Sequence, residues 1–206
     1  MQFRVLGPLE IETDDTLGVD LGIVNLATDS TGETFTGAKV HEVRMRYHKR
    51  RQILQKVGTH SAKRRLKKMS GREKRFQKDV NHRISKRLVQ KAAESRKALA
   101  LEDLTGIRER TTVRRENRYE RQSWAFFQLR TYIAYKAAWV GVEVKFVDPR
   151  NTSRTCSECG HCEKANRQSQ SSFKCRQCGF CLNADVNGAI NISRSPVKRP
   201  MVAGRA

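Results

Sequence analysis

Apolar and polar positions alternate along Leu17–Ala27: Leu17, Val19, Leu21 and Ile23 fall on one side of an extended chain, Gly18, Asp20 and Gly22 on the other. The pattern predicts a strand with one buried face and, opposite it, a carboxylate between two residues without side chains. Such a gap leaves room for a metal ion or a nucleic-acid backbone, although an ordinary core strand carrying one acid has the same pattern. Before it, MQFRVLGPLEIETDD reads as a short strand and an acidic turn, and after it Asp29–Gly32 is a turn into a second strand, Glu33–Thr36. The period then becomes helical over about Glu42–Val57 and Phe76–Lys97, with the basic stretch Lys63–Arg75 between them, helical or not. Val80, Ile84, Leu88 and Ala92 form the apolar face of the second helix. Leu99–Leu104 predicts another strand, with Leu99 and Leu101 on one face and Ala98, Ala100 and Glu102 on the other: again an acid among small neighbours. Thr105–Arg121 reads as a mobile basic loop. The helix after it, about Gln122–Val140, carries an apolar stripe of Trp124, Phe127, Leu129, Ile133, Ala137 and Val140, assigned to core rather than to base stacking. Gly141 ends that helix, and Val142–Val147 is a further strand. Cys181–Ile192 predicts a last helix with Asn183 at its N-cap. Asp185 in its first turn shares a side with Ala189 and Ile192.

Charge sharpens this outline. Lysine and arginine outnumber aspartate and glutamate by 42 to 21, a formal net charge of +21. Between Glu42 and Arg121 there are 27 basic against 9 acidic residues, nearly the whole excess. A helix that is merely solvated interleaves both signs, so Lys78, Arg83, Lys86, Arg87 and Lys91 are expected to contact phosphates. A polyanion partner, nucleic acid, follows. No apolar run reaches the roughly 18 residues of a membrane span, and no signal peptide precedes the basic segments.

All six cysteines lie between Cys156 and Cys181, four of them as Cys156-Ser-Glu-Cys159 and Cys175-Arg-Gln-Cys178, fifteen residues apart. That spacing favours metal over disulfides. Each CxxC turn, followed by Gly160 or Gly179, brings two thiolates to one side of a tetrahedral Zn²⁺. A zinc ribbon is expected, structural rather than catalytic because four thiolates leave no open position. Cys162 and Cys181 are spare, His161 is a less favoured substitute ligand, and the polar loop His161–Lys174 is placed towards DNA.

LGVDLGIVNLA, ALEDLTGI, CSECG…CRQCG and NADVNGAINI, in that order, together with VNHRISKRLV and TSRTCSECG, resemble the C-terminal half of the transposon-encoded TnpB (OrfB) proteins. These are RNA-guided DNA endonucleases related to the Cas12 effectors, and the likeness runs from about Leu17 to Ile192. It implies an α/β chain of RuvC/RNase H-like nuclease fold, with a basic helical insertion and an inserted four-cysteine zinc ribbon. The domains would be a short N-terminal remnant at 1–16, the nuclease core at 17–153 with the insertion at 42–98, the ribbon at 154–181, the last motif helix at 182–194 and a basic tail at 195–206. Carried over motif by motif, Asp20, Glu102 and Asp185 become an acidic triad for two Mg²⁺ or Mn²⁺ ions about 4 Å apart, cleaving phosphodiester bonds. Asp103 and Asn187 neighbour these motifs but alternation and helical phase turn them away. The implied setting is the prokaryotic cytoplasm, at the nucleoid, with DNA as partner. Full-length members bind guide RNA through an N-terminal half, and only about sixteen residues precede the first motif here, so RNA guidance is not expected of this chain alone. Two other readings stay open: a non-catalytic zinc-ribbon protein that occupies nucleic acid, and a remnant that does not fold stably. The intact acids argue against the first, the uninterrupted motifs against the second.

Overall fold

A computed structural model of the chain describes residues 13–103 and 126–200. The expected loop Thr105–Arg121, Trp124 and most of the opening segment lie outside them. Its strands are β1 (Thr16–Asp20), β2 (Asn25–Asp29), β3 (Thr34–Thr36), β4 (Ala98–Glu102), β5 (Val144–Val147), β6 (Ser172–Lys174), β7 (Cys181–Asn183) and β8 (Val197–Pro200). The helices are α1 (Ala38–Val57), α2 (His60–Glu94), α3 (Phe126–Trp139) and α4 (Ala184–Arg194).

A mixed sheet in the order β3-β2-β1-β4-β5-β8 organises the molecule. β1, β4 and β5 run parallel, with Leu17 opposite Leu99 and Leu101 opposite Phe146, while β2, β3 and β8 add antiparallel edges. β8 falls within the segment expected to be a basic tail; its backbone completes the edge beside β5. Leu17, Val19, Leu99, Leu101 and Phe146 pack under α2 and α3, against Ile84, Leu88, Leu129 and Ile133. On the other side Ala100 and Val147 meet Ile192 of α4. Both faces of the parallel strands are thus covered, as such strands require. Losing any one of the fully buried leucines to alanine would cost about 2–5 kcal/mol.

The basic segment holds two helices, but they divide elsewhere than expected. The break falls at Gly58, whose φ of +67° ends α1, and at Thr59, whose hydroxyl accepts from the Ala62 N–H to cap α2. From there α2 runs 35 residues through Lys63–Arg75 without interruption. Gly71 in its interior costs about 1 kcal/mol against alanine, too little to break a packed helix. In α3, Leu129, Ile133 and Ala137 are core, but Phe127, and Val140 just beyond the helix end, are exposed, so the expected stripe is narrower than its apolar residues.

Acids turned inward also change the basic face. Asp29 is fully buried and pairs with Lys91, which also reaches Glu33 at 2.8 Å, and Arg87 meets Glu33 at 2.9 Å. Two of the five cations expected on phosphate are therefore spent in holding α2 to the β2–β3 turn, and Arg83 pairs with Asp79 at 3.0 Å.

Candidate nuclease centre and zinc ribbon

Asp20 is the last residue of β1 and Glu102 the last of β4, each one step beyond the Val19–Leu101 pair of adjacent parallel strands. The carboxyl ends of parallel strands are where such sheets bind ligands. Because Leu17 and Val19 fill the core under α2, alternation turns Asp20 to the α4 side. There its Oδ2 would lie 3.2 Å from a Cβ placed on Gly188. Asp185 stands in the first turn of α4, whose cap is Asn183: its side-chain oxygen accepts from the Asp185 and Val186 N–H groups at 2.9 and 3.3 Å. The three acids, 82 and 83 residues apart in sequence, thus meet where two strand ends face a helix start.

The flanking glycines have a different purpose from the one their placement suggests. A Cβ on Gly18 would lie 2.0 Å from the Ala189 carbonyl oxygen and 2.6 Å from the Ser193 nitrogen, and one on Gly22 would lie 2.5 Å from the Asn25 carbonyl oxygen. Gly18 lets the α4 backbone rest on β1, and Gly22 lets the chain turn into β2; neither clears room for ions. The close approach is by protein backbone, and it seats Asp185 beside Asp20.

Each acid is held. Thr152 donates its hydroxyl to Glu102 Oε1 at 2.5 Å; Asn25 donates its amide to Asp185 Oδ2 at 2.8 Å; Arg167 donates to Asp185 Oδ1 at 3.0 Å. Burial pushes the Asp20 carboxyl up to about 7, and the negative charges of Glu102 and Asp185 add to this, against Arg167 and the Leu21 N–H. Burial also raises Glu102, although Thr152 and Arg167 favour its charged form. The centre is short of positive charge. The carboxylates are nevertheless more spread than the thiols: among the described residues, the four cysteines are the group with ligand atoms all within 4.8 Å of one another.

Those four, Cys156, Cys159, Cys175 and Cys178, close into a cluster with Sγ···Sγ distances of 3.8 Å for Cys156–Cys178 and 3.6 Å for Cys159–Cys175. Gly160 and Gly179 take left-handed φ of +77° and +75° just after each pair, the conformation that swings both thiols of a knuckle to one side. The Cys178 N–H donates to Cys175 Sγ and draws that thiol down to about 6. Four soft donors at this separation suit a tetrahedral metal ion. His161 contacts Glu163 at 3.3 Å, and Cys162 and Cys181 are exposed outside the cluster.

Arg167, Thr152 and Asn25 are site residues that sequence reasoning missed. Arg167 belongs to the loop assigned to DNA, yet it turns inward to the acids. It is steered by the fully buried Asn166, which bonds the Arg154 and His161 carbonyls and the Arg176 N–H. No periodicity marks any of the three, because each acts through a contact made only on folding. Asp103 and Asn187 stand apart from the acids: Asp103 meets Arg130 at 3.4 Å, and Asn187 is fully buried against the ribbon. Asn187 accepts from the Ser157 N–H at 3.0 Å and donates to the Thr155 carbonyl at 2.8 Å. Asn191 bonds the Thr152 and Thr155 carbonyls, and Arg194 the Ser157 carbonyl. The ribbon is fastened along α4.

Comparison with known proteins agrees in both halves. Residues 8–106 match the OrfB_IS605 family model, described as "Probable transposase", and residues 126–192 match the TNB domain of Cas12f1-like proteins. A CRISPR-associated endodeoxyribonuclease Cas12f1 of Sulfoacidibacillus thermotolerans is 33% identical over 202 residues, 89% of this chain and 46% of the relative. A TnpB-like protein of Methanocaldococcus jannaschii is 35% identical over 158 residues, 75% of this chain and 56% of the relative. Among solved structures, a Cas12f1–sgRNA–target DNA complex superposes with a TM-score of 0.71 at 23% identity, over 88% of this chain and 50% of that one. A CRISPR-Cas12f ternary complex gives 0.73 at 23%, over 96% and 41%. The chain spans about half the length of the relatives it matches.

Proposed function

Since the chain belongs to the TnpB/OrfB family and also matches Cas12f1-like proteins, we propose that it is a metal-dependent DNA endonuclease domain of RuvC/RNase H-like fold. The observation that carries this reading is the meeting of Asp20 and Glu102, at the ends of adjacent parallel strands, with Asp185 at the start of α4. Three acids brought together at two strand ends and a helix start cost stability that a binding surface need not lose; hard oxygen donors in that arrangement suit Mg²⁺ or Mn²⁺. Bound there, such ions would activate water and stabilise the leaving oxygen of a phosphodiester. The protein's own part is orientation. Thr152 fixes Glu102, and Asn25 fixes Asp185. Arg167, held by the Ser169 and Gln170 carbonyls, places a guanidinium charge beside the acids, where it would attract a scissile phosphate. The four cysteines would hold a structural Zn²⁺.

DNA is the proposed substrate. Guide RNA, named in the Cas12f1 complex, is a further partner to be tested by reconstitution, since the activity of a whole relative does not follow from half its length. The zinc-loaded chain with Mg²⁺ or Mn²⁺ should cut single-stranded DNA, and Asp20→Ala or Asp185→Ala should lower the rate by at least about a thousandfold. If either variant cuts like its parent, the assignment is wrong. Retention of DNA without cutting under any divalent metal would favour the binding-protein reading instead.

A further inference from the structure

On the side of the sheet away from the acids, α2 and α3 share an aromatic ladder that the nuclease centre does not use. His82 stacks on Tyr132 with ring centroids 4.1 Å apart and planes 22° from parallel. Tyr132 meets Tyr135 edge-on at 5.8 Å, and Tyr135 meets Trp139 edge-on at 5.5 Å. The ladder ends in the open: Trp139 is 76% exposed. Tyrosines and an indole in this state are not core. Their rings are already fixed by one another and by Lys136, whose ammonium bonds the His82 carbonyl and Ser85 hydroxyl at 2.6 and 2.7 Å and lies about 6 Å from both tyrosine rings.

The surroundings are cationic. Lys78 and Lys86 are exposed one turn of α2 to either side of His82. Lys136 is pushed below its ordinary range by its partial burial and by the nearby charge of Lys86. Next to the ladder a groove between α2 and α3 is lined by Lys74, Arg75, Lys78 and Gln128. From Gln128 to Trp139 the strip covers about 16 Å of helix. Flat rings held open beside a line of basic side chains on α2 suit a chain of flat bases joined by phosphates, and a protein or lipid partner would not need both features in register.

We propose that this face is a second nucleic-acid site, a stacking platform on which an unpaired strand lays one base on Trp139 and its phosphates along Lys78, Lys86 and the Lys74–Arg75 groove. It stands on a different surface from the acid centre and is independent of cleavage. A duplex, whose bases are already stacked on each other, should not use it.

Fluorescence decides the matter. In the zinc-loaded full chain carrying Asp20→Ala, to prevent cutting, and Trp124→Phe, to leave Trp139 as the sole tryptophan, an oligothymidylate or oligouridylate of about sixteen nucleotides should quench the emission. The tighter of the two identifies DNA or RNA as the strand, and a duplex of equal length should quench little. In the Asp20→Ala parent, Trp139→Ala should weaken binding about tenfold, with an unchanged slope of affinity against salt because the phosphate contacts remain. Trp139→Tyr should recover most of the loss. Equal affinity of Trp139→Ala and parent, or absent quenching, overturns the proposal. So does a concentration-dependent dimer in sedimentation that Trp139→Ala dissolves, which would give the face to a second copy of the chain. None of these readouts involves cleavage, so failure here leaves the nuclease assignment to its own test.

Discussion

At Asp20 the proposed chemistry works against folding stability. Its carboxyl, raised to about 7 by burial and by its two acidic neighbours, holds a proton in the folded chain at pH values where the unfolded chain, near 3.8, has released it. The cost of folding with the charge is therefore full above pH 7, shrinks as pH falls from 7, and is gone below the unfolded value. At about pH 8 Asp20→Asn should stabilise the chain by up to ~4 kcal/mol, the equivalent of about three pKa units, and the urea midpoints of the two proteins should draw together as pH falls from 7 and converge only at about pH 4 and below. Added Mg²⁺ should raise the midpoint of the parent at about pH 8 and leave that of the variant unmoved. Gly188 shows why the site tolerates little bulk: a Cβ added there would lie 3.2 Å from the Asp20 carboxylate, inside ordinary van der Waals contact.

At the scale of elements, α4 is the part on which everything else depends. It rests on β1 through Gly18, supplies Asp185, covers Ala100 and Val147 with Ile192, and clamps the ribbon through Asn187, Asn191 and Arg194. The ribbon in turn returns Arg167 to Asp185, and the segment leading into it sends Thr152 to Glu102. Loss of the four-cysteine cluster should therefore disturb the acids. Cys159→Ser, or treatment of the zinc-loaded chain with a chelator, should release the ribbon and cut the proposed nuclease rate by at least about tenfold with all three acids intact. Asn187→Ala should do the same more mildly, leaving zinc stoichiometry near one but lowering stability by about 1–3 kcal/mol, the cost of unpaired buried partners. A Cys159→Ser protein with unimpaired cutting would show that the two sites are independent.

Across the whole molecule, charge and architecture separate the tasks. A sheet covered on both sides fixes the acids at one end, while the +21 net charge surrounds it with a field that gathers polyanions whatever their sequence. DNA affinity should fall by about a thousandfold or more between 50 and 200 mM salt, on the order expected for six to ten phosphate contacts. Substitution of Arg87 or Lys91 should change that slope less than substitution of Lys78 or Lys86, because the first pair is tied to Asp29 and Glu33. Among the described residues no helix is long and apolar enough to cross a membrane.

The strands, the helical segment and the cysteine cluster were legible in the sequence for a common reason: each is written in local spacing. Alternation of period two placed β4 and the first half of the expected Leu17–Ala27 strand, which the structure ends at Asp20 and turns back as β2 from Asn25; the Val80–Ala92 repeat placed the core face of α2, and two CxxC turns marked four thiols as one ligand set. The acids were legible as residues of motifs, but their meeting was not, since nothing local relates a strand end to a helix start more than eighty residues away. Only tertiary structure could assign Gly18 to backbone contact instead of an open cavity, turn Arg167 inward, spend Lys91 on a buried acid and leave Phe127 and Trp139 uncovered. Each of those outcomes depends on which surface a residue happens to face once α4 closes on β1 and α3 on α2. Sequence determines what a side chain can do; packing decides what it meets.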